Sequence, residues 1–555
     1  MKIVNSILIF IPAFVFFSCA NQLSPGGGPL DMTPPMVIDL YPKSGTVNFD
    51  DDHISVAFSE YVDKRSVQEA IFISPAIEGQ LEYSWSGKDL DIEFPYGLRD
   101  SITYVITIGT DVVDVNNRNH MAESFTITFA TGDKIDIGQV EGKVFAENPA
   151  GTMLFAYKNV SDTLNPSKSK PDYITQAGTD GKFKLSGLAF GDYKIFAVKD
   201  EFRDLKYDIG SDAYGSPNQI VTLTDADTIF TGLDFFLTKD DTLEARIISA
   251  VMTDKYHVYV TMSEDIDTSI ISAGKFYVVD SAANKTITPL YAYKGKNNVD
   301  LFLVINDTIP VDSRAVLFAK NLIDLNKNIT QIDSSELTVS DRPDTNKPGL
   351  TQTVPPNRDV NAETDEPEFK FTFGDAFNIS AAAKGIAFTD TLKNKINFTI
   401  NKIDDASFAI KPAVKLKPAT DYIITLNMNY MKDIAGNYYD SVYTYNFTTI
   451  SGLDFSGVSG VVKADKTSAN MYVILQSAAT KDLSYKQRIT GGTFNFNRVK
   501  PDKYILWGFD DADSSEAYSY GKPYPFESSE KFSFYPDTLN LRARWPVGDV
   551  QFEIK

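Results

Sequence analysis

The chain is predicted to be all-β, a series of tandem β-sandwiches behind a leader and a tether, and three observations predict it. Apolar and polar residues alternate in His53 to Val62 (HISVAFSEYV), Ser101 to Thr110 (SITYVITIGT), Ser124 to Gly132, Lys255 to Ser263 and Asp421 to Asn429, and a period of two marks a strand with one buried face. Helical periodicity is confined to short stretches at Lys64 to Ala70 and Ser380 to Lys384. Two kinds of unit, each about 100 residues long, recur along the chain, which is the ordinary size of an independent domain.

The leader comes first. Lys2 gives a positive start, Ile3 to Phe17 are apolar except for Asn5, Ser6 and Pro12, and Ser18 precedes Cys19, the single cysteine among 555 residues. The apolar run is shorter than the roughly 20 residues of a spanning helix and is followed at once by polar, Gly-rich sequence, so residues 1–18 are expected to be removed as a signal peptide. Phe16-Phe17-Ser18-Cys19 resembles a bacterial lipobox in the relaxed form of the Bacteroidota. The resemblance implies that Cys19 is the lipid attachment point and holds the mature chain on a membrane without crossing it, because several acyl chains anchor where one does not. Residues 19–32, with Pro25, Pro29 and Gly26 to Gly28, hold neither helix nor central strand and read as a tether.

The first repeating unit spans 33–134, 241–345 (a degenerate copy) and 346–452. Each copy runs from an opening strand through a second strand ending near an acid, then to a tyrosine strand, an Asp/Asn turn and a last strand. Phe58-Ser59-Glu60, Tyr104, Asp114 and Asn117 carry the pattern in the first copy, and Tyr422, Asp433, Gly436 and Asn437 in the last. The middle copy keeps Ser263-Glu264 and Asp324, with Met262 in place of Phe; the last has Asp375 in place of Glu. These residues resemble the SbsA-type bacterial Ig-like domain, which implies a sandwich and no particular activity. The second unit fills 135–240 and 453–555: VEGKVFAE leads to a Gly turn before Phe183 and to Tyr193, and VSGVVKAD leads to a Gly turn before Phe494 and to Tyr504. It resembles the transthyretin or carboxypeptidase-regulatory sandwich, a scaffolding module in that family.

Composition narrows the partners. A formal net charge of −21 argues against nucleic acid, whose phosphates are bound by Lys and Arg. Hydrophobic residues at 43% and aromatics at 12% are ample for packed cores. Without disulfides, stability must come from burial.

No machinery for nucleophilic catalysis, no P-loop and no zinc spacing is visible, so no catalytic residue, cofactor or metal is expected. His53, His120 and His257 read as structural. Asp114 to Asn119, Asp324 to Ile329 and Asp510 to Ser515 begin like calcium loops, yet none has Gly sixth and Glu twelfth, and Asx turns account for them without an ion. Glu60 and Asp63 could serve as a carboxylate pair, but read better as edge-strand charges that block sheet aggregation. Asp-Thr/Ser-aliphatic triplets, such as Asp162-Thr163-Leu164 and Asp537-Thr538-Leu539, resemble the O-glycosylation acceptor of exported Bacteroidota proteins and imply a possible glycan modification.

The expected function is that of a non-catalytic, lipid-anchored outer-membrane protein acting through protein contacts, on the cell surface or the periplasmic face. The leader, the PGGGPLDMTPP segment and the two sandwich types together resemble a Bacteroidota lipoprotein; that resemblance implies an accessory or structural role in an envelope complex, such as a β-barrel assembly or export machine. A glycan-binding adhesin and a hydrolase are the alternatives. The candidate partner-binding surface is the loop Ala512 to Glu530, longer than a hairpin requires, with Tyr518, Tyr520, Tyr524 and Phe526 as its contact residues.

Overall fold

The computed structural model describes residues 30–75, 77, 79–158, 160–267, 271–464, 470–480 and 483–554; Cys19 lies outside them. The architecture is all-β and the sandwiches stand in series. Among the described residues the α-helices are short and lie where the sequence placed them. Asp63 caps Lys64–Glu69 by accepting the Arg65 and Ser66 N–H groups, and Asn378 caps Ile379–Ala382, each satisfying donors that the first helical turn leaves free.

The chain divides into two compact units. The first holds the residues up to Ala156 with Asp172–Gly191 and Thr222–Thr231. Its opening sandwich has one sheet ordered Val37–Tyr41, His53–Phe58, Asp89–Glu93, Glu82–Ser86, and a second ordered Ile71–Ser74, Thr103–Ile108, Phe125–Ala130. Alternate residues Ile54, Val56 and Phe58 meet Leu90, Ile92, Tyr104, Ile106, Ile127 and Phe129 in one core. Thr103–Ile108 departs from the predicted single buried face: all six residues are buried. The reason is a second layer within the unit. Thr107 Oγ1 donates to the Ile174 carbonyl at 3.2 Å, and Gly109 lies so close to Gln176 that a Cβ would stand 2.1 Å from its side-chain oxygen. A period of two therefore reported the inner face, while Val105 and Thr107 serve the outer one.

The second unit holds Tyr157–Pro171, Asp192–Val221 and the residues from Gly232 onward. Residues 247–338 form a single eight-stranded sheet, in which Ala315–Ile323 and Ile329–Thr338 make a long hairpin. Val258, Val260 and Leu303 share its core with Val278 and Leu317. The next sandwich packs the sheet of Leu350–Val354, Phe369–Phe373, Ser407–Pro412 and Phe398–Asp404 against that of Asp359–Ala362, Val442–Thr449, Asp421–Asn427 and Ile386–Asp390, around a core rich in phenyl rings. In the last one, Ser456–Ala464 pairs antiparallel with Thr493–Val499 and parallel with Val547–Ile554. Gly138–Phe145 has the same arrangement, antiparallel with Lys182–Leu188 and parallel with Ile229–Thr231, so the second repeat is one of topology as well as of sequence.

The recurring tyrosines are buried at corners. The Tyr104 hydroxyl accepts the Arg99 N–H at 2.9 Å and that of Tyr422 accepts the Lys417 N–H at 3.0 Å, each from five residues upstream. Tyr504 closes the last sandwich the other way round, donating to the Lys500 carbonyl at 2.8 Å. A hydroxyl that ties a strand to its own approach is the tyrosine-corner device of Ig-type sandwiches. Tyr104→Phe or Tyr422→Phe keeps the ring and removes only the acceptor, so each is expected to cost about 1 kcal/mol; thermal melts showing no loss in either variant would remove this role from the tyrosines.

Candidate functional site

Three sandwiches carry the same acid triad at one pole. An opening acid, Asp31, Asp241 or Asp344, stands six residues before the first residue of its opening strand, at Val37, Ile247 or Leu350. A second acid, Glu60, Glu264 or Asp375, stands two residues beyond a strand that ends at Phe58, Met262 or Phe373. The third, Asp114, Asp324 or Asp433, begins the Asx turn after the tyrosine strand or its counterpart. One asparagine in each turn joins the parts. Asn119, Asn328 and Asn437 donate from Nδ2 to the backbone carbonyls of Asp31, Asp241 and Asp344 at 3.0, 3.0 and 3.3 Å.

The triads differ in how their charge is met. Burial raises the Glu60 carboxyl, and Asp114 and Asp31 add to this while Lys88 opposes it. Burial also works to raise Asp114, but hydrogen bonds from Asn117, Asn119 and Arg118 outweigh it and hold that carboxyl low. Glu264 is pushed up to about 7, first by burial and then by Asp241, with which it shares a hydrogen bond. Asp344 and Asp433 are both raised by burial. Glu60 and Asp63 are thus not sheet-edge guards, as the sequence suggested. Glu60 belongs to the polar end of the sandwich and Asp63 is a helix cap, because both lie past the end of strand His53–Phe58.

The third triad is covered from the preceding sheet. His257 is 5% exposed; its Nδ1 lies 2.9 Å from both oxygens of Asp254, and its Nε2 lies 2.8 Å from Asp375 Oδ1. Burial disfavours its charge, yet the two carboxylates prevail and push the imidazole up to about 10. Both ring nitrogens therefore donate, and the imidazolium is the bond between two sandwiches. Asp405 and Asp404 complete the joint by accepting the Ala292 and Lys294 N–H groups.

The loop proposed as a recognition surface lies against the second unit's own residues. Phe236 is ringed by Trp507, Tyr518, Tyr520, Phe532 and Phe534, with centroids 5.3–5.8 Å away. Phe526 meets Phe196 edge-on at 6.0 Å, and the buried Lys194 ammonium sits 4.1 Å from its centroid. Ser216 donates to the Glu527 carbonyl at 2.7 Å and Tyr214 to that of Gly521 at 3.1 Å. Gly521 has φ +65°, and a Cβ there would stand 2.3 Å from the Glu527 oxygen, so the turn needs glycine. Tyr518, Tyr520 and Phe526 thus pack within the molecule, and Tyr524, 40% exposed, is the one of the four that faces outward. The other histidines sit apart. His53 adjoins Asp52, and His120 Nδ1 lies 3.2 Å from the Thr110 carbonyl.

Residues 31–131 and 344–449 match the bacterial Ig-like domain family. No match was found among curated protein sequences. Among solved structures, the N-terminal part of the bacterial S-layer protein SbsC is similar at 11% identity and a TM-score of 0.17, over 37% of this chain and 44% of that one; the chain thus spans less than half of that structure's length. The major pilin subunit BcpA of Bacillus cereus is similar at 9% identity and a TM-score of 0.14, over 76% and 99%. L,D-transpeptidase 1 of Mycobacterium tuberculosis is similar at 11% identity and a TM-score of 0.17, over 38% and 99%.

Two sets of measurements check the joints. His257→Gln leaves two buried carboxylates without their cation, and removing one partner of such a pair costs about 3–5 kcal/mol. The wild-type contribution is complete below the ordinary histidine value of 6.5 and is lost as pH rises through about 10. The gap in melting temperature between the two proteins is therefore expected to be wide at neutral pH and to narrow above pH 10; a gap independent of pH would rule out the ionic bond. Phe236→Ala, at a ring that is partly exposed, is expected to cost about 2 kcal/mol, below the ~3–5 of a fully buried ring. Tyr524→Ala should change stability by less than about 0.5 kcal/mol, and equal melting shifts for the two would contradict the packing described.

Proposed function

We propose that this protein is a non-catalytic, lipid-anchored protein of the bacterial outer membrane that acts through protein–protein contacts, as an accessory or structural subunit of an envelope complex. The observation that carries this reading is the use to which its ionisable and aromatic clusters are put. Several of them fasten one sandwich to another. His257 ties the third sandwich to the fourth, Arg498 of the last pairs with Glu363 of the fourth at 3.0 Å, and Phe236 seats the loop that ends at Glu530. Fixed joints suit a spacer that presents surfaces at set positions.

Cys19, in its lipobox-like setting, supports the anchor, and the net charge of −21 supports a partner other than nucleic acid. The finer proposal, a place beside a β-barrel assembly or export machine on either face of the outer membrane, rests on the whole-chain resemblance to Bacteroidota lipoproteins. A glycan-binding adhesin is less favoured. Trp85 stacks on Phe58, Trp507 lies in the aromatic nest, and Trp545 is exposed by itself, so the tryptophans build no platform for sugar rings.

Native electrophoresis of detergent-solubilised membranes tests the proposal. The wild-type chain is expected to run within an assembly larger than itself, and Cys19→Ala to leave the membrane fraction and the assembly together. A wild-type chain that runs alone, or unchanged membrane retention and lipid labelling in Cys19→Ala, would overturn it.

A further inference from the structure

The triad of Asp344, Asp375 and Asp433 has an unmet valence that the other two lack. All three residues are buried, at 8, 4 and 8% exposure, and a carboxylate oxygen of each lies within 4.8 Å of the others. One oxygen of each is held in place. Oδ1 of Asp344 accepts the Asn346 N–H, Oδ1 of Asp433 accepts the Asn437 N–H, and Oδ1 of Asp375 accepts the Ala376 N–H and lies 2.8 Å from His257 Nε2. The other oxygen, Oδ2 in each case, is buried with no hydrogen-bond partner among the described residues. A buried polar atom without a partner costs free energy, and a buried carboxylate more so. Three clustered carboxyl groups, each with such an atom, call for a common partner.

The remaining triads are satisfied differently. Asp241 accepts the Leu243 N–H and the Asn326 amide, and shares a hydrogen bond with Glu264. Asp324 accepts both the backbone N–H and the side-chain amide of Asn328, and Asp114 is filled in the same way by Asn117, Arg118 and Asn119. Neither group leaves a buried carboxylate oxygen unpartnered.

We propose that Asp344, Asp375 and Asp433 together bind a calcium ion at the joint between the third and fourth sandwiches. The donors are hard anionic oxygens from three separate segments, the linker, the end of a strand and an Asx turn. Nitrogen ligation is closed off, because both ring nitrogens of His257 already face carboxylates, which removes the borderline ligand that zinc, nickel or copper would take. The carboxyl groups of Asp344, Asp375 and Asp433 are clustered and buried together, a donor set that suits a hard divalent cation. Calcium suits the site better than magnesium because it accepts irregular carboxylate geometry at about 2.3–2.6 Å, whereas magnesium demands a regular octahedron and keeps its waters. The ion would bind the linker residue Asp344 to the fourth sandwich while His257 holds the same sandwich to the third. It would thereby set the joint.

The test uses the full-length chain after chelator treatment, titrated with CaCl2. Calorimetry is expected to show one equivalent bound, and the melting temperature to rise by several degrees at saturation, with a far smaller rise in equimolar MgCl2. Asp344→Asn removes a charge from the crowded site, so this variant is expected to melt no lower than the wild type without calcium and to lose the calcium response. Asp433→Asn is expected to lose the response as well, while Asp241→Asn keeps it. No calcium binding by the wild type up to millimolar concentration would overturn the proposal. So would a response retained in both Asp344→Asn and Asp433→Asn, a response lost in Asp241→Asn alone, or equal responses to calcium and magnesium.

Discussion

One side-chain amide decides how each of three sandwiches begins. Asn119, Asn328 and Asn437 each reach from an Asx turn to the backbone carbonyl of an acid six residues ahead of the opening strand. The chain must enter a sandwich at a pole, where strands end and backbone groups lack ladder partners. By holding the entering segment beside the Asx turn, the amide also places the opening acid next to two others. Repulsion among the three is then a cost of satisfying the backbone, and each copy meets it in its own way: hydrogen bonds from the turn around Asp114, a shared hydrogen bond between Glu264 and Asp241, and an imidazolium beside Asp375. From that one geometric requirement follow the perturbed carboxyls, the buried histidine and the character of the joint between the third and fourth sandwiches.

The strands were legible in the sequence because their alternation is local: HISVAF buries every second residue as its pattern implies. The short helices were legible for the same reason, through Asp63 and Asn378 at their starts. The triads were only half visible. Glu60, Asp114, Asp375 and Asp433 stood out as repeat positions, whereas Asp31 fell in the tether and Asp241 and Asp344 at the two ends of the degenerate unit, outside the repeated pattern, since the constant spacing of six is apparent only once the opening strands are placed. His257 gave no signal, because its partner Asp375 is 118 residues away and no local pattern encodes that distance. Phe236 likewise gave no signal, because its neighbours Tyr518 and Tyr520 come from the far end of the chain. Tyr- and Gly-rich composition marked Ala512 to Glu530 as a contact segment without saying that much of the contact is internal.

Repetition and individuality divide along these lines. Core residues such as Phe58, Tyr104, Phe371 and Tyr422 answer to the sandwich and recur with it. Residues that join sandwiches answer to one neighbour and occur once: His257, Phe236, Lys194 over Phe526. Within the second unit the placing of one sandwich beside the next comes from the second class, because a repeated core supplies stability to each copy and nothing that relates one copy to the next.

The fully buried strand Thr103–Ile108 has a bearing on how such a chain is made. Its outer face is completed by residues such as Ile174, 67 positions later. While the chain emerges from its N-terminus, the opening sandwich can close its own core and still carry an uncovered strip, Val105 and Thr107, until the following segment arrives. Until then that strip is a transient adhesive surface, and the boundary at which the sequence repeat ends is earlier than the point at which the first folded body is complete.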